Sequence, residues 1–218
     1  MRGRSRRMRG LALALAMLGG MAGAQEAVGK FNIAGFRTLE SCTATLVAPQ
    51  LVLTAAHCVV APQDGYLKPV GDMVFVAAWD GAGHGGASRV DGVDVHPEAF
   101  TEGRFDLRHD IALVTLSDAL STPPMRVGSG SVAGPLTLMG YRRSRPHRLS
   151  VTPYCSGRTE TGLWRIACRV EKGQSGGPVV TGTDGAARVV AVIVAIREDE
   201  ALAVPLDPWV RARIAAAR

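Results

Sequence analysis

Between residues 42 and 204 the chain repeatedly sets short runs of apolar and β-branched residues between clusters of Gly, Pro, Asp and Asn. Runs of this length suit strands and are too short for most helices. The candidates are Cys42 to Val47, Leu51 to Thr54, Met73 to Ala78, Val90 to Val95, Ile111 to Leu116 and Leu136 to Gly140, followed by Trp164 to Ala167, Val179 to Thr181, Val189 to Ile196 and Leu202 to Val204. Strands this numerous and this regularly punctuated predict an all-β architecture, a barrel or a sandwich. Only the tail departs from the pattern. After Pro208, residues 209–218 are good helix formers that put Trp209, Val210, Arg213 and Ile214 at helical spacing, so a short C-terminal helix is expected. The Ser-, Pro- and Gly-rich stretch 117–130 reads as a connector between two β halves.

The first residues are of another kind. Arg2, Arg4, Arg6, Arg7 and Arg9 precede an uncharged run from Leu11 to Leu18, and small residues follow up to Ala22-Gly23-Ala24. A basic segment, a short apolar core and small residues form an export signal, with cleavage expected after Ala24. The apolar run is about half the ~20 residues that a membrane-spanning helix needs. The expected product is a secreted protein, periplasmic or extracellular, with no membrane association after cleavage.

This segment also changes the meaning of the charge. The whole chain of 218 residues carries +6, a value that invites a nucleic-acid or anionic-membrane reading. Removing residues 1–24 takes away five arginines and no acid, leaving 20 basic against 19 acidic residues, a net +1. The basicity belongs to the export signal, and no nucleic-acid partner is expected.

Export permits disulfides among Cys42, Cys58, Cys155 and Cys168. Spacing favours the local pairs Cys42 with Cys58 and Cys155 with Cys168, although four cysteines allow three connectivities. A zinc site is the weaker alternative, since no C-x-x-C occurs.

Three segments carry chemistry. Leu53-Thr54-Ala55-Ala56-His57-Cys58 runs an apolar strand into small residues and presents a histidine. Arg108-His109-Asp110-Ile111-Ala112-Leu113 puts an acid at the mouth of an apolar strand. Gly173-Gln174-Ser175-Gly176-Gly177-Pro178 holds a serine in a glycine-rich turn ahead of a strand. A serine nucleophile needs a base, and the base needs a partner that fixes its tautomer. Glycines around the serine free backbone N–H groups to stabilise an oxyanion.

These three motifs, in this order, resemble the trypsin/chymotrypsin-like serine peptidases, particularly their secreted bacterial branch. The likeness extends to Ser41-Cys42-Thr43-Ala44-Thr45-Leu46, Val95-His96-Pro97, Gly140-Tyr141 and Trp209-Val210, and so covers most of residues 40–212. It implies two six-stranded antiparallel barrels with the site between them. Residues 25–120 would form the barrel carrying His57 and Asp110, and residues 121–218 the barrel carrying Ser175. It further implies that Ser175 attacks a peptide carbonyl, that His57 is base and then acid, and that Asp110 orients the imidazole. The backbone N–H groups of Gly173 and Ser175 would form the oxyanion hole. Cys42 and Cys58 would bridge beside the histidine. The implied partner is a protein or peptide substrate, the implied state a monomer, and the implied chemistry needs no metal and no cofactor.

Rival residues read differently. His84 lies in a glycine loop, His96 precedes a proline and His147 sits in an arginine-rich loop, so all three read as turn or surface residues. His109 adjoins Asp110, and its side chain is expected to point elsewhere. Asp91, Asp94 and Asp106 lack the apolar strand that follows Asp110.

Two departures from the family pattern limit what carries over. Gln174 stands where animal members have an aspartate that pairs with a newly cut N-terminus, so maturation by signal cleavage alone is expected. Six residues before Ser175, trypsin has an acid and this chain has Arg169. With Val194, Ala195 and Ile196 of a wholly apolar strand, Arg169 is the candidate lining of the substrate pocket: Arg169 suits an acidic side chain, the strand suits an apolar or small one equally well with Arg169 pointing to solvent, and the specificity stays open. Two other functional classes compete with the enzyme. One is a secreted homologue that binds a partner without catalysis. The other is a polyanion-binding module built on Arg142, Arg143, Arg145, His147 and Arg148, a cluster that more often forms a solvated loop.

Overall fold

The structure, a computed structural model, describes residues 19–33, 40–182 and 185–217. Most of the export signal read in the sequence, residues 1–18, lies outside the described residues.

After a short helix α1 (Gly19–Glu26), the first half contains β1 (Val28–Asn32), β2 (Ser41–Ala48), β3 (Leu51–Thr54), a single helical turn α2 (Ala56–Val59), β4 (Val74–Ala77) and β5 (Gly86–Val95). A two-stranded hairpin, β6 (Phe100–Thr101) with β7 (Arg104–Phe105), leads to β8 (Ala112–Leu116). Six of these strands close a barrel in the order β1-β2-β3-β8-β5-β4. Cross-strand partners fill it: Phe31 lies opposite Phe75 and Leu53 opposite Leu113, all of them buried. Each such side chain contributes about 1.5–3 kcal/mol of burial.

The second half contains β9 (Arg126–Val127), β10 (Leu136–Tyr141), β11 (Leu149–Cys155), β12 (Gly157–Glu160), β13 (Leu163–Ile166), β14 (Pro178–Thr181), β15 (Arg188–Arg197) and β16 (Glu200–Pro205), and ends in helix α3 (Pro208–Ala216). Its sheet runs β11-β10-β14-β15-β16-β13-β12, with β9 pairing in parallel to β15. Where the family resemblance implies a second closed barrel, this half is a curled sheet. Its two outer strands, β11 and β12, are separated in the chain by Ser156 alone, which bends one edge toward the other. The connector of residues 117–130 is mostly loop, but it contains β9 and buries Met125, whose N–H donates to the Leu46 carbonyl at 2.9 Å.

The two halves meet along β2, which is buried at seven of its eight positions because the barrel covers one face and the second sheet the other. On β15, Val192 and Val194 pack into the core shared with the barrel, and Ile193 between them packs into a separate core of the second sheet. Period-two alternation explains the division.

Helix α3 begins where its sequence says it should. The Asp207 carboxylate accepts the Val210 N–H at 2.9 Å, and Pro208 occupies the first turn, where its missing N–H costs nothing. Val210 and Ile214, one helical turn apart, face the core.

Candidate active site

His57 owes its position to two constraints. Strand β3 delivers the chain through the buried residues Thr54, Ala55 and Ala56 into α2, and a disulfide ties the next residue, Cys58, to Cys42 of β2. The 3-10 turn Leu107–His109 then brings Asp110 beneath it, fully buried. Asp110 Oδ1 accepts the backbone N–H of His57 at 2.8 Å, and Oδ2 lies 2.6 Å from His57 Nδ1. An ionised carboxylate only accepts, so Nδ1 carries the imidazole proton and Nε2 keeps its lone pair. The histidine ring is one-quarter exposed, open to a substrate from one side. Behind it, the Lys68 ammonium donates to the His57 carbonyl at 3.3 Å and to Glu40 at 2.5 Å.

Ser175 lies in a turn built from backbone contacts. Gly176 N–H donates to the Ile193 carbonyl at 2.7 Å and Ile193 N–H to the Gly177 carbonyl at 2.8 Å, pinning the turn to β15. From the first barrel, Thr43 N–H donates to the Ser175 carbonyl and Thr43 Oγ1 to the Gly173 carbonyl, both at 2.8 Å. Gln174 is buried, and its Oε1 accepts the Glu171 N–H at 2.9 Å, closing the turn on itself. After these bonds, the N–H groups of Gly173 and Ser175 have no acceptor among the described residues. A pair of backbone donors left free in one tight turn suits an oxyanion.

The serine turn and the strand end that leads to His57 meet. A Cβ on Gly176 would lie 2.1 Å from both the Thr43 carbonyl and Thr54 Oγ1, and 3.1 Å from Ala55 N, so the serine turn is pressed against the strand ends that precede His57. Among the described contacts His57 and Asp110 are bonded directly, and Ser175 Oγ makes no hydrogen bond to His57.

The pocket candidates separate. Arg169 and Ile196 line a cavity of about 530 Å³ beside the serine turn, together with Arg143, Lys172, Glu198 and Asp199. The Arg169 side chain is 79% exposed and lies 3.7 Å from Asp199. Val194 is buried in the core and Ala195 packs against it; neither lines that cavity. The second bridge joins Cys155 to Cys168, directly before Arg169.

His96 corrects the reading of it as a turn or surface residue. It is buried, its Nε2 lies 2.7 Å from Asp207 Oδ2, and its ring stacks on His109 and meets the edge of Trp209. The helix cap and the histidine share one carboxylate, a long-range contact with no local sequence signal. His109 turns away from the site toward Glu98 and Asp106. Thr43, Gln174 and Lys68 are further residues of the site whose roles the motifs do not announce. A threonine inside a β-branched run reads as a strand former, and only the fold shows its hydroxyl serving the opposite lobe.

The metal-type donor cluster found among the described residues is Cys42, His57 and Cys58. Its donors do not fit an ion, because both sulfurs are in one disulfide and Nδ1 is held by Asp110. No helix among the described residues is long and apolar enough to cross a membrane.

A closed β-barrel packed on a curled β-sheet, with a histidine–aspartate pair on one and a glycine-bound serine on the other, defines the chymotrypsin-like class of folds. The chain belongs to the trypsin-like peptidase domain family, whose model matches residues 42–192. Solved structures agree in fold. A thermostable serine protease from an extremophilic microorganism superposes with a TM-score of 0.74 at 18% identity, covering 89% of this chain and 98% of that one. A Glu endopeptidase gives 0.72 at 17% identity over 94% of each chain. The protease Anisep from Arthrobacter nicotinovorans gives 0.69 at 15% identity, over 89% and 96%. No curated protein matches the chain in sequence.

Proposed function

We propose that the protein is a secreted, monomeric serine endopeptidase that works through Ser175, His57 and Asp110. Ser175 Oγ adds to the carbonyl carbon of the scissile peptide bond while its proton passes to His57 Nε2. The N–H groups of Gly173 and Ser175 donate to the oxyanion. The tetrahedral intermediate collapses, the C–N bond breaks, and the leaving amine takes the proton from His57. Water then attacks the acyl-enzyme by the same route in reverse roles. Asp110 stays ionised and stabilises the imidazolium. Secretion is supported by the residue 1–24 pattern and by two disulfides, which persist in oxidising compartments.

The observation that carries this reading is the double contact of the buried Asp110 with His57. A carboxylate taken wholly out of water costs free energy unless it is bonded, and both of its oxygens are spent on one histidine. The contact fixes both the position of the imidazole and the nitrogen that carries its proton, which is what a general base facing a serine requires.

The test is covalent labelling by a fluorophosphonate. The exported, oxidised protein is expected to label at one residue, and Ser175→Ala to abolish the label. An unlabelled wild type overturns the enzyme reading.

A further inference from the structure

The loop between β10 and β11, residues 142–148, holds Arg142, Arg143, Arg145, His147 and Arg148 and no acid. It is fixed at both ends of its span. Arg143 N–H donates to the Lys172 carbonyl at 2.7 Å, next to Gly173, and His147 Nδ1 accepts from Trp79 Nε1 of the first half at 3.0 Å. Two cavities open on it. Arg143 shares the 530 Å³ cavity beside the serine turn with Arg169 and Lys172. The other, about 370 Å³, is lined by Arg142, Arg145 and Arg148 with Leu149, Ser150 and Val151.

The nearby acids are already engaged. Glu171 is bound by Arg142 at 3.5 Å and by Ser144 Oγ at 2.5 Å, Glu198 by Arg165 at 2.7 Å, and Asp199 lies by Arg169. Among the described residues, Arg143, Arg145, Arg148 and Lys172 have no carboxylate partner, and Arg142 Nε is buried without an acceptor. Unpaired like charges gathered at a cleft raise the local potential and concentrate anions.

We propose that this loop, with Lys172, recognises an acidic segment of the polypeptide substrate beside the scissile bond. The proposal rests on the peptidase reading and names its substrate class. Guanidinium groups match carboxylates in a two-bond fork, so several acidic side chains in one segment can be held at once. A polypeptide is the occupant because the loop is bonded to the serine turn through Lys172 and Glu171, which puts whatever binds it next to Ser175. Neither cavity has an aromatic lining residue on which bases would stack.

The experiment uses a fluorescent peptide with a run of Glu and a twin with Gln in its place. The full-length Ser175→Ala protein is expected to bind the Glu peptide more tightly, and the wild type to cleave it with the higher kcat/KM. Arg145→Ala with Arg148→Ala is expected to reduce the Glu/Gln ratio about tenfold, and Arg145→Gln with Arg148→Gln to do the same while keeping a polar, uncharged side chain. The exposed Arg104→Ala serves as control and keeps the ratio. Raising salt from about 0.05 M to about 0.5 M is expected to shrink the ratio in the unsubstituted loop. Equal handling of the two peptides overturns the proposal, as does retention of heparin without binding of the Glu peptide. Equal handling of the two peptides by a wild type that labels with fluorophosphonate overturns this proposal alone, whereas an unlabelled wild type overturns the peptidase reading on which it rests.

Discussion

Asp110 meets His57 with both of its oxygens, one on the backbone N–H at 2.8 Å and one on Nδ1 at 2.6 Å. The first bond fixes where the histidine stands, and the second fixes which nitrogen carries the proton. Asp110→Asn separates the two effects. The amide oxygen can still accept the backbone N–H, but its NH₂ group then faces Nδ1 and favours the wrong tautomer. The expected result is a fold of unchanged melting temperature and a kcat lowered by about 10⁴, with fluorophosphonate labelling slowed in parallel. A variant that keeps its kcat removes Asp110 from the mechanism.

Thr43 offers a test of how one half supports the other. Its hydroxyl donates to the Gly173 carbonyl at 2.8 Å and accepts the Tyr141 N–H at 2.9 Å, and the site is buried. Thr43→Val keeps the shape and strands both partners. The expected cost is about 1–3 kcal/mol in urea unfolding. Because Gly173 is the proposed oxyanion donor, kcat is expected to fall about 10- to 100-fold with KM little changed, less than deleting a donor outright.

Gly176 is required twice over. Its φ is +81°, a region that L side chains rarely adopt, and a Cβ there would sit 2.1 Å from the Thr43 carbonyl and from Thr54 Oγ1. Neither backbone nor buried hydroxyl can retreat cheaply. Gly176→Ala is expected to destabilise by about 3 kcal/mol or more and to abolish labelling of Ser175. A protein that unfolds at the wild-type urea midpoint and still labels contradicts the docking of the serine turn on the barrel.

The strands legible in the sequence are those whose side chains supply their reason to form. Strand β3 and the long β15 are apolar, β-branched runs, and their bounds in the structure nearly coincide with those expected. Strands β1, β11 and β12 escape such a reading for physical reasons. Strand β1 (Val28–Asn32) includes Gly29 and Lys30, β11 (Leu149–Cys155) includes Pro153 at an exposed edge, and β12 (Gly157–Glu160) is polar throughout. Their pairing comes from neighbours that offer backbone partners, information that is nonlocal. The site divides in the same way. His57, Asp110 and Ser175 stand in motifs with local signatures. The hydroxyl of Thr43 and the His96–Asp207 pair act across 130 and 111 residues, separations at which no local pattern announces them.

Cys42 and Cys58 close a loop of 16 residues that contains both β3 and His57. A bridge of this span stabilises by about 3 kcal/mol through the entropy it removes from the unfolded chain. Replacing both cysteines by alanine is expected to lower the urea midpoint accordingly. The pair Cys155 and Cys168 leaves His57 untouched, so its double alanine variant is expected to destabilise similarly while keeping more of the wild-type kcat. Equal loss of kcat in the two variants contradicts a specific role for the first bridge in holding the histidine.

Near the buried acid, Asp106 carries a charge whose contribution to stability depends on pH. The Arg108 guanidinium bonds it, and the Arg108 N–H helps, so its carboxyl titrates at about 2, below the ordinary carboxylate range. The folded state therefore holds the ionised form more strongly than the unfolded chain does. That contribution is complete above about pH 5, where the unfolded carboxyl is also ionised, and is lost progressively as pH falls through about 2. Arg108→Gln removes the main cause of the shift. The melting temperature of the wild type is expected to fall more steeply between pH 4 and pH 2 than that of Arg108→Gln, while the two curves run parallel from about pH 5 to 7. Because Asp106 caps the turn that sets Asp110 in place, the variant is also expected to lose some activity at neutral pH, and curves that stay parallel down to pH 2 remove Arg108 as the cause.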